Sequence, residues 1–244
     1  MDELEGFKKR IHSSIERALD GHVVLLPFLD EAEIALVKEE TKYLPLNVKF
    51  SGKAINAIRQ RCILSNYDIN EEDFKIVSYK INYNNKFYEI SHRNVLGALM
   101  SLGIKRECLG DILVKDNGIY IFVEKEISSF ILNEFKSIGK CSIELKEINE
   151  EIENEIKYES KLYFLSSLRL DCVIASIYNL SRSNVLEILE NKCVFLNAVL
   201  NQNPSHICKV LDVISVRHYG KFKILDIKGK SRSDRICVEL GKQV

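Results

Sequence analysis

The sequence of 244 residues lacks a long apolar segment. Its longest apolar run, around residues 23–29, is interrupted by Pro27 and is far shorter than the roughly 20 residues that a membrane-spanning helix needs. The first residues, MDELEGFKKRIHSS, mix acidic and basic side chains and contain no apolar core of a secretory signal. We therefore expect a cytoplasmic protein without a membrane partner.

The sequence also lacks the motifs of metal sites and of common enzymes. Its seven cysteines are scattered and form no Cys-x-x-Cys pair, so they predict buried thiols and no metal site. There is no glycine-rich phosphate loop, no Gly-x-Ser-x-Gly and no His-Glu-x-x-His, and the five histidines are dispersed. The sequence predicts no catalytic residues, no cofactor and no small-molecule substrate, which favours a binding protein over an enzyme.

The zero net charge conceals an uneven distribution along the chain. Residues 161–244 contain 13 Lys and Arg against 7 Asp and Glu, a balance of +6. Residues 144–160 contain 7 Glu against 2 Lys, a balance of −5. The acidic stretch predicts a solvated connector, which we place at residues 150–165. The basic C-terminal part is typical of a protein that binds nucleic acid.

Hydrophobic periodicity predicts an α+β protein with three domains. Residues 1–72 read as a small α/β domain with helices at Leu4–Leu19 and Asp30–Glu40 and a strand at Leu46–Ser51. Residues 73–149 follow a strand-helix-strand-strand-helix-strand order, which predicts a ferredoxin-like domain. Its predicted parts are a strand at Phe74–Tyr83, a helix capped by Ser91 and ended by Gly103, a hairpin at Asn117-Gly118, a helix at Glu124–Ile138 and a strand at Cys141–Ile148.

RRM domains, which read single-stranded RNA with aromatic residues on their sheet, share this scaffold. Four aromatic side chains lie on the predicted strands of the middle domain: Tyr79, Tyr83, Tyr120 and Phe122. They could stack on bases or pack in the core. We favour core packing because the aromatic and glycine spacing of an RRM signature is absent.

Residues 166–244 contain two short helical patterns around basic residues. The apolar positions Leu170, Val173, Ile174 and Ile177 recur at helical spacing, and so do Val185, Leu186, Ile188 and Leu189. Ser181 occupies an N-cap position, so the backbone N–H groups of Arg182 and Ser183 would point outward at the helix start. That arrangement favours an anion such as an RNA phosphate.

This segment resembles the S-four RNA-binding domain, named after small-subunit ribosomal protein four. Arg169-Leu170-Asp171 and Ser181-Arg182-Ser183 match the starts of its two helices. Its strand-turn-strand part is matched by residues 192–197, Pro204 and residues 212–214. Asn191 and Leu211 stand where the family usually has glycine. The resemblance predicts two helices plus a small β-sheet, and the turn before Asp212 is expected to differ from that of the family.

The Arg-Leu-Asp motif has a second interpretation. Pseudouridine synthases carry the same three residues, in which the Asp is the catalytic nucleophile. Only about 70 residues follow the motif here, which is fewer than a separate catalytic domain needs. We therefore interpret Asp171 as a carboxylate that starts a helix and orients Arg169. An RNA-modifying enzyme, or its RNA-binding accessory, stays as the alternative.

The run from Ser91 to Val114 resembles the signature of the YlmH family of bacterial RNA-binding proteins. The family pattern is His-Arg-x-x-Leu-Gly-Ala, then Leu-Gly-Ile-x-Arg, then Gly-Asp-Ile, which this chain matches at residues 92–98, 102–106 and 110–112. His92, Arg93, Lys105 and Arg106 place positive charge at the two ends of one predicted helix. The order of the three domains also fits the family, over nearly the whole chain.

This resemblance implies binding to ribosomal RNA on a large ribosomal subunit that still carries peptidyl-tRNA. It also implies a role in the quality control of stalled translation. In that picture Arg169, Arg182 and Lys192 hold phosphates with Ser181 and Ser183, and Arg217, Lys221 and Lys223 extend the surface. Lys221 and Lys223 share one face of a strand, while Phe222 and Ile224 occupy the other. The RNA-binding residues of the middle domain would be His92, Arg93 and Arg106.

Overall fold

The computed structural model describes residues 3–155, 158–217, 219–231 and 233–243, and it confirms the α+β class. The chain divides into two compact units, Met1–Glu155 and Ile156–Val244. The regions that the sequence separates at residue 72 both lie in the first unit. The N-terminal segment packs on the larger sheet of that unit, and the two regions therefore form one compact unit.

The first unit contains α1 (Glu3–Leu19), β1 (Val24–Leu25), α2 (Glu31–Thr41), β2 (Asn47–Ser51), β3 (Arg61–Ser65), β4 (Ile76–Tyr83), α3 (His92–Ser101), β5 (Leu109–Lys115), β6 (Gly118–Glu124), α4 (Lys125–Glu134), β7 (Ser137–Ile138) and β8 (Cys141–Ile148). Its small sheet has the antiparallel order β1-β3-β2, and α1 and α2 pack against it. The predicted helix starts agree with the structure, because Asp30 and Ser91 both form capping boxes.

The larger sheet has the antiparallel order β5-β6-β4-β8-β7. Helices α3 and α4 cover one face, where Tyr79 is buried against residues such as Val95 and Ile131. Phe28, Ala54 and Ile152, from outside the sheet, pack on the other face with Tyr120 and Phe122. Tyr79, Tyr120 and Phe122 are therefore core residues, and the sheet face with which an RRM reads RNA is closed here.

Helix α4 is shorter than the sequence predicts. The helical pattern continues to Ile138, but the helix ends at Glu134 and Ser137–Ile138 pairs with Ser142–Cys141 as β7. Phe135 and Ile138 are both buried, and Gly139 takes the positive φ of 59° that the tight turn into β8 requires. Phe135 and Ile138 are therefore apolar because they are buried at the hairpin, and not because they lie on the apolar face of a longer helix.

The second unit contains β9 (Tyr158–Leu165), α5 (Leu170–Tyr178), α6 (Arg182–Glu190), β10 (Val194–Leu196), β11 (Val199–Leu200), β12 (Val213–Val216), β13 (Gly220–Lys230) and β14 (Ile236–Gln243). Its sheet has the order β11-β10-β12-β13-β14-β9, with antiparallel neighbours. Both helices pack on one face of this sheet through apolar residues such as Leu170, Val185, Ile214 and Phe222.

Half of the segment predicted as a connector is a strand. Residues of β9 pair along their whole length with β14, from Leu165 opposite Ile236 to Tyr158 opposite Gln243. The alternation of Tyr163 and Leu165, which face the core, with Leu162 and Phe164, which are exposed, is typical of a strand with one buried face. The high charge of the preceding residues hides this pattern in the sequence.

Lys192 and Leu211 are among the residues of the second unit that adopt the left-handed backbone conformation, which normally favours glycine. Lys192 has φ of 56° just after α6, whereas the neighbouring Asn191 has φ of −74°. Leu211 has φ of 75° and is 65% exposed. The chain therefore keeps the turn before Asp212 in a conformation suited to glycine, although the side chain there is leucine.

We expect Leu211→Gly to raise the free energy of unfolding by about 0.5–1 kcal/mol. Glycine removes a left-handed penalty of roughly 1–2 kcal/mol, and the greater entropy of the unfolded chain offsets part of that gain. The measurement is the urea unfolding midpoint of the full chain. Val210→Gly is the matched control, because Val210 is also exposed but has no positive φ, and it should destabilise the protein.

Candidate nucleic-acid interface

A buried carboxylate organises the start of both helices in the second unit. The side chain of Asp171 is only 2% exposed, and its oxygens accept hydrogen bonds from Arg169 Nε at 3.1 Å and Nη2 at 2.8 Å. Arg182 Nη2 lies 3.7 Å from the same carboxylate. Two guanidinium groups thus share one carboxylate, which leaves one positive charge in excess at this point of the surface.

The geometry holds Asp171 in its ionised form. The hydrogen bonds from Arg169 lower the pKa of the Asp171 carboxyl, and a further bond from Cys172 N at 2.8 Å adds to the effect. The backbone of this turn is fixed as well, since Leu170 N donates to His206 O and Asp171 N donates to Pro204 O. Asp171 therefore orients Arg169, as the sequence predicts, and it also reaches Arg182.

The N-terminus of α6 presents the second half of this site. Ser181 caps the helix, and its Oγ accepts a hydrogen bond from Asn184 N at 3.2 Å and lies 2.9 Å from Ser183 Oγ. The first intrahelical bond is made by Val185 N, so the N–H groups of Arg182 and Ser183 precede the bonded ladder. The side chain of Arg182 is 77% exposed. These donors and the helix dipole together suit an oxyanion.

We name Arg169, Asp171, Ser181, Arg182 and Ser183 the helix-start site. Lys192 does not belong to it, because α6 separates Lys192 from Arg182 by about 14 Å at 1.5 Å per residue. Lys192 lies instead next to Cys193, whose carbonyl accepts a hydrogen bond from Arg217 N. The structure therefore brings Lys192 and Arg217 together at another point of the second unit.

Lys221 and Lys223 point away from the helices. On β13 they alternate with Phe222 and Ile224, which are buried beneath α5 and α6. The two lysines consequently lie on the opposite face of the sheet, where Lys223 Nζ is 5.6 Å from the ring centre of Tyr158. Arg217 flanks this region with its guanidinium 5.4 Å from the ring centre of Phe195. The predicted basic residues thus form two surfaces instead of one continuous patch.

In the first unit, the chain folds back so that Arg106 approaches the start of α3. Partial burial and the charge of Arg106 lower the pKa of His92, which is therefore neutral at pH 7. Arg106 Nη1 donates to Leu109 O at 2.7 Å and to Gly110 O at 3.0 Å. Arg93 is exposed at the second position of α3. The sequence predicts these basic residues at opposite ends of a helix, whereas His92 and Arg106 are neighbours.

The Gly-Asp-Ile segment of the signature has a structural role. The Asp111 carboxylate accepts hydrogen bonds from Ile58 N at 2.7 Å and Arg59 N at 3.0 Å, so it ties β5 to the loop before β3. A Cβ atom on Gly110 would lie 2.7 Å from the Phe28 ring. Burial raises the pKa of Asp111, which the two backbone bonds oppose. Contacts within the fold therefore explain the small residue at Gly110 and the carboxylate at Asp111.

Arg59 and Arg61 are held by main-chain carbonyl groups and do not form a solvated face. Arg61 is 5% exposed, and Arg59 donates through Nη2 to Phe28 O at 2.7 Å and through Nε to Leu109 O at 3.1 Å. Sequence periodicity gives no signal for this, because the acceptors are main-chain carbonyls far along the chain.

Within the described residues there is no group of three or more His, Cys, Asp or Glu side chains that could hold a metal ion. A search of the same residues finds no helix that combines the length and the apolar character needed to cross a membrane.

Comparison with known proteins supports an RNA-related role. A family model described as a putative RNA-binding domain in YlmH matches residues 70–152. Over 254 aligned residues the chain is 30% identical to the Ribosome-associated protein quality control protein P2 of Bacillus subtilis (strain 168), with 99% of each chain covered. A solved structure, Cell division protein ylmH from Streptococcus pneumoniae, is similar with a TM-score of 0.53 and 27% identity. That similarity covers 61% of this chain and 92% of the other.

Proposed function

Because this chain belongs to the YlmH family, we propose that it is a non-enzymatic protein that binds ribosomal RNA on the large ribosomal subunit. We propose further that it contacts peptidyl-tRNA there and acts in the quality control of stalled translation. The relative from Bacillus subtilis is named for ribosome-associated protein quality control, and the family model is described as RNA-binding. The first name supports a cytoplasmic role with the ribosome as partner, and the second supports RNA binding.

The helix-start site is the single observation that carries this proposal. Arg169 and Arg182 converge on the buried Asp171 carboxylate, and the capped start of α6 lies beside them. Guanidinium groups held in this way match the oxygens of a phosphate, and phosphate contacts position a protein on RNA. The two helices packed on one sheet face support the assignment of the second unit as an S-four domain.

The first unit adds support of a different kind. Its chain order of β4, α3, β5, β6, α4 and β8, with the antiparallel order β5-β6-β4-β8, fits a ferredoxin-like domain. Because both faces of that sheet are covered, we place its RNA contacts on the residues around the start of α3. Arg93 and Arg106 are the cations there, while His92 would act as a neutral hydrogen-bonding group.

The alternative is an RNA-modifying enzyme that uses Asp171 as a nucleophile. The carboxylate is 2% exposed and its oxygens are occupied by Arg169, Arg182 and Cys172 N. A nucleophile needs an open line of attack on its substrate, and these partners fill the space around both oxygens. This geometry favours the orienting role.

We expect Asp171→Asn to weaken RNA binding severalfold and to lower the free energy of unfolding by about 1–3 kcal/mol, because Arg169 and Arg182 lose their shared carboxylate. The pattern of ribosomal RNA modification should stay unchanged. Cells that lack the gene, complemented by wild type or by Asp171→Asn, are compared by mapping pseudouridine and methyl groups. Cross-linking to RNA followed by sequencing reports the binding in the same cells.

For this experiment the matched control is Asp212→Asn, which removes another C-terminal carboxylate. Its oxygens accept hydrogen bonds from Asn197 Nδ2 and Lys209 N. It should reduce stability without changing the cross-linked sites. Loss of one modification that wild type restores and Asp171→Asn does not would refute the non-enzymatic function. Cross-links without any ribosomal RNA would refute the proposed partner.

A further inference from the structure

A groove in the first unit collects three arginine side chains. It has a volume of about 610 Å³ and lies between α1, the segment that leads into α2, and the turn Arg106–Cys108. Arg10 contributes from α1, Arg59 from the loop before β3, and Arg106 from the turn. Phe7, Leu26 and Pro27 provide apolar walls. The volume is in the range of pockets that hold a molecule of nucleotide size.

Two of the guanidinium groups are fixed side by side. Arg59 Nε and Arg106 Nη1 both donate to the carbonyl oxygen of Leu109, at 3.1 Å and 2.7 Å. Burial, together with the charge of Arg59, lowers the pKa of Arg106 to about 10. The fold thus holds two guanidinium groups close together in a partly desolvated place, where the Asp111 carboxylate interacts electrostatically with both.

The carboxylates around the groove already have partners of their own. Asp30 Oδ1 accepts from Ala32 N and Glu33 N, and Glu33 Oε2 accepts from Asp30 N. Glu107 lies 3.8 Å from Lys105. In the described part of the first unit no carboxylate oxygen lies within 4.0 Å of a guanidinium nitrogen of Arg10, Arg59 or Arg106. The charges of Arg10 and Arg59 act on Glu33 only from farther away.

The hydrogen bonds of Arg59 and Arg106 leave further N–H groups for a ligand. Toward the residues that the structure describes, Arg59 uses Nε and Nη2, and Arg106 uses Nη1 alone. A guanidinium carries five N–H donors. Arg59 Nη1, Arg106 Nε and Arg106 Nη2 therefore add donors to those of Arg10, whose guanidinium stands 5.8 Å from the Phe7 ring centre. Fixed donors of this type match the tetrahedral oxygens of a phosphoryl group.

From this geometry we propose that the groove binds a phosphoryl group, with Arg10, Arg59 and Arg106 as its ligands. The phosphoryl group could belong to an RNA strand or to a free nucleotide or phosphate ion. The site shares Arg106 with the proposed RNA-binding residues, and it goes beyond them because Arg10 and Arg59 lie outside the residues matched by the family model. It also does not depend on the helix-start site, which belongs to the other unit.

The test follows the arginine Nε–Hε signals of the full chain by ¹⁵N NMR. Inorganic phosphate, uridine monophosphate and a single-stranded oligouridylate of eight residues are titrated separately, with chloride at matched ionic strength as the reference. Arg106→Lys assigns the Arg106 signal by removing it. We expect saturable shifts of the Arg59 and Arg106 signals with at least one phosphoryl compound and none with chloride. Tightest binding of the oligonucleotide identifies RNA as the source, and equal binding of phosphate identifies a free anion.

Two variants on α1 distinguish a specific phosphoryl-binding site from general electrostatic attraction. Arg10→Gln should weaken binding about fivefold, as the loss of one charge-assisted hydrogen bond predicts. Lys9→Gln removes the same charge from the neighbouring exposed position outside the groove and should have little effect. Arg182→Glu should leave the shifts intact, which keeps the result separate from the helix-start site. Equal effects of Arg10→Gln and Lys9→Gln, or no saturable shift with any compound, would overturn the proposal.

Discussion

Arg182→Glu is expected to weaken the affinity for ribosomal RNA by at least about tenfold, and to make the slope of log affinity against log salt shallower by about one. The side chain is 77% exposed, so the fold should tolerate the change. The substitution removes the guanidinium that we propose contacts a phosphate at the start of α6, and it adds a repulsive carboxylate there. Filter binding or fluorescence anisotropy at several salt concentrations, with a fragment of large-subunit RNA, measures both quantities.

Arg235→Glu provides the matched control for that measurement. Arg235 is likewise an exposed arginine of the second unit, but it precedes β14 and is outside the predicted RNA-binding residues. Its reversal changes the net charge equally, so it corrects for long-range attraction. If both variants lose the same affinity, the helix-start site has no special part in binding RNA.

Arg61→Met should lower the free energy of unfolding of the first unit by about 3–5 kcal/mol, the range for one lost partner of a buried ion pair. Arg61 Nε donates to Leu26 O at 3.1 Å, and Nη1 donates to Phe74 O at 3.1 Å. Arg61 Nη2 also lies 3.4 Å from Glu124 Oε1. Methionine fills a similar volume but leaves these oxygens without their donor. Urea unfolding of the full chain, followed by circular dichroism, gives the value.

The partner of Arg61 offers a way to test the cause. Burial already raises the pKa of Glu124, and Arg61 opposes that rise. Adding Glu124→Gln to Arg61→Met should recover part of the lost stability, because an unpaired buried carboxylate disappears. Lys75→Met is the control. Lys75 is exposed, and its Nζ lies 4.0 Å from Glu126 Oε1, so this surface ion pair is long and weak. A loss no larger than that of the control would show that the Arg61 contacts do not stabilise the fold.

The elements that the sequence predicts well are those with a local cause. Helices α1, α2 and α3 agree with the prediction because their apolar spacing depends on residues close together in the chain. The same holds for the caps of α2 at Asp30 and of α3 at Ser91. Strand β8 agrees for the same reason, since its alternation is regular between Gly139 and the acidic stretch. Strand β3 lacks a local signal in the sequence, because all five of its residues are buried and they show no alternation.

The candidate sites depend more strongly on long-range packing. The pairing of Asp171 with Arg169 is predictable, because the two residues are neighbours in the chain. The separation of Lys221 and Lys223 from Arg182 is also foreseeable, since Phe222 and Ile224 must face the helices. The meeting of Arg59 and Arg106 at Leu109 O has no such local signal. It arises only when the N-terminal segment closes over the larger sheet.

The order of strands in the second unit has a consequence for how this protein is made. Strand β9 is the first strand of the second unit to be synthesised. Its neighbour β14 follows only after residues 166–235 have left the ribosome. Until then Leu165 lacks its place in the core, and Leu162 and Phe164 add apolar surface to an unpaired strand. Such non-local pairing makes folding slow and exposes the nascent chain to aggregation. We therefore expect the emerging second unit to depend on protection by chaperones until its last strand inserts between β13 and β9.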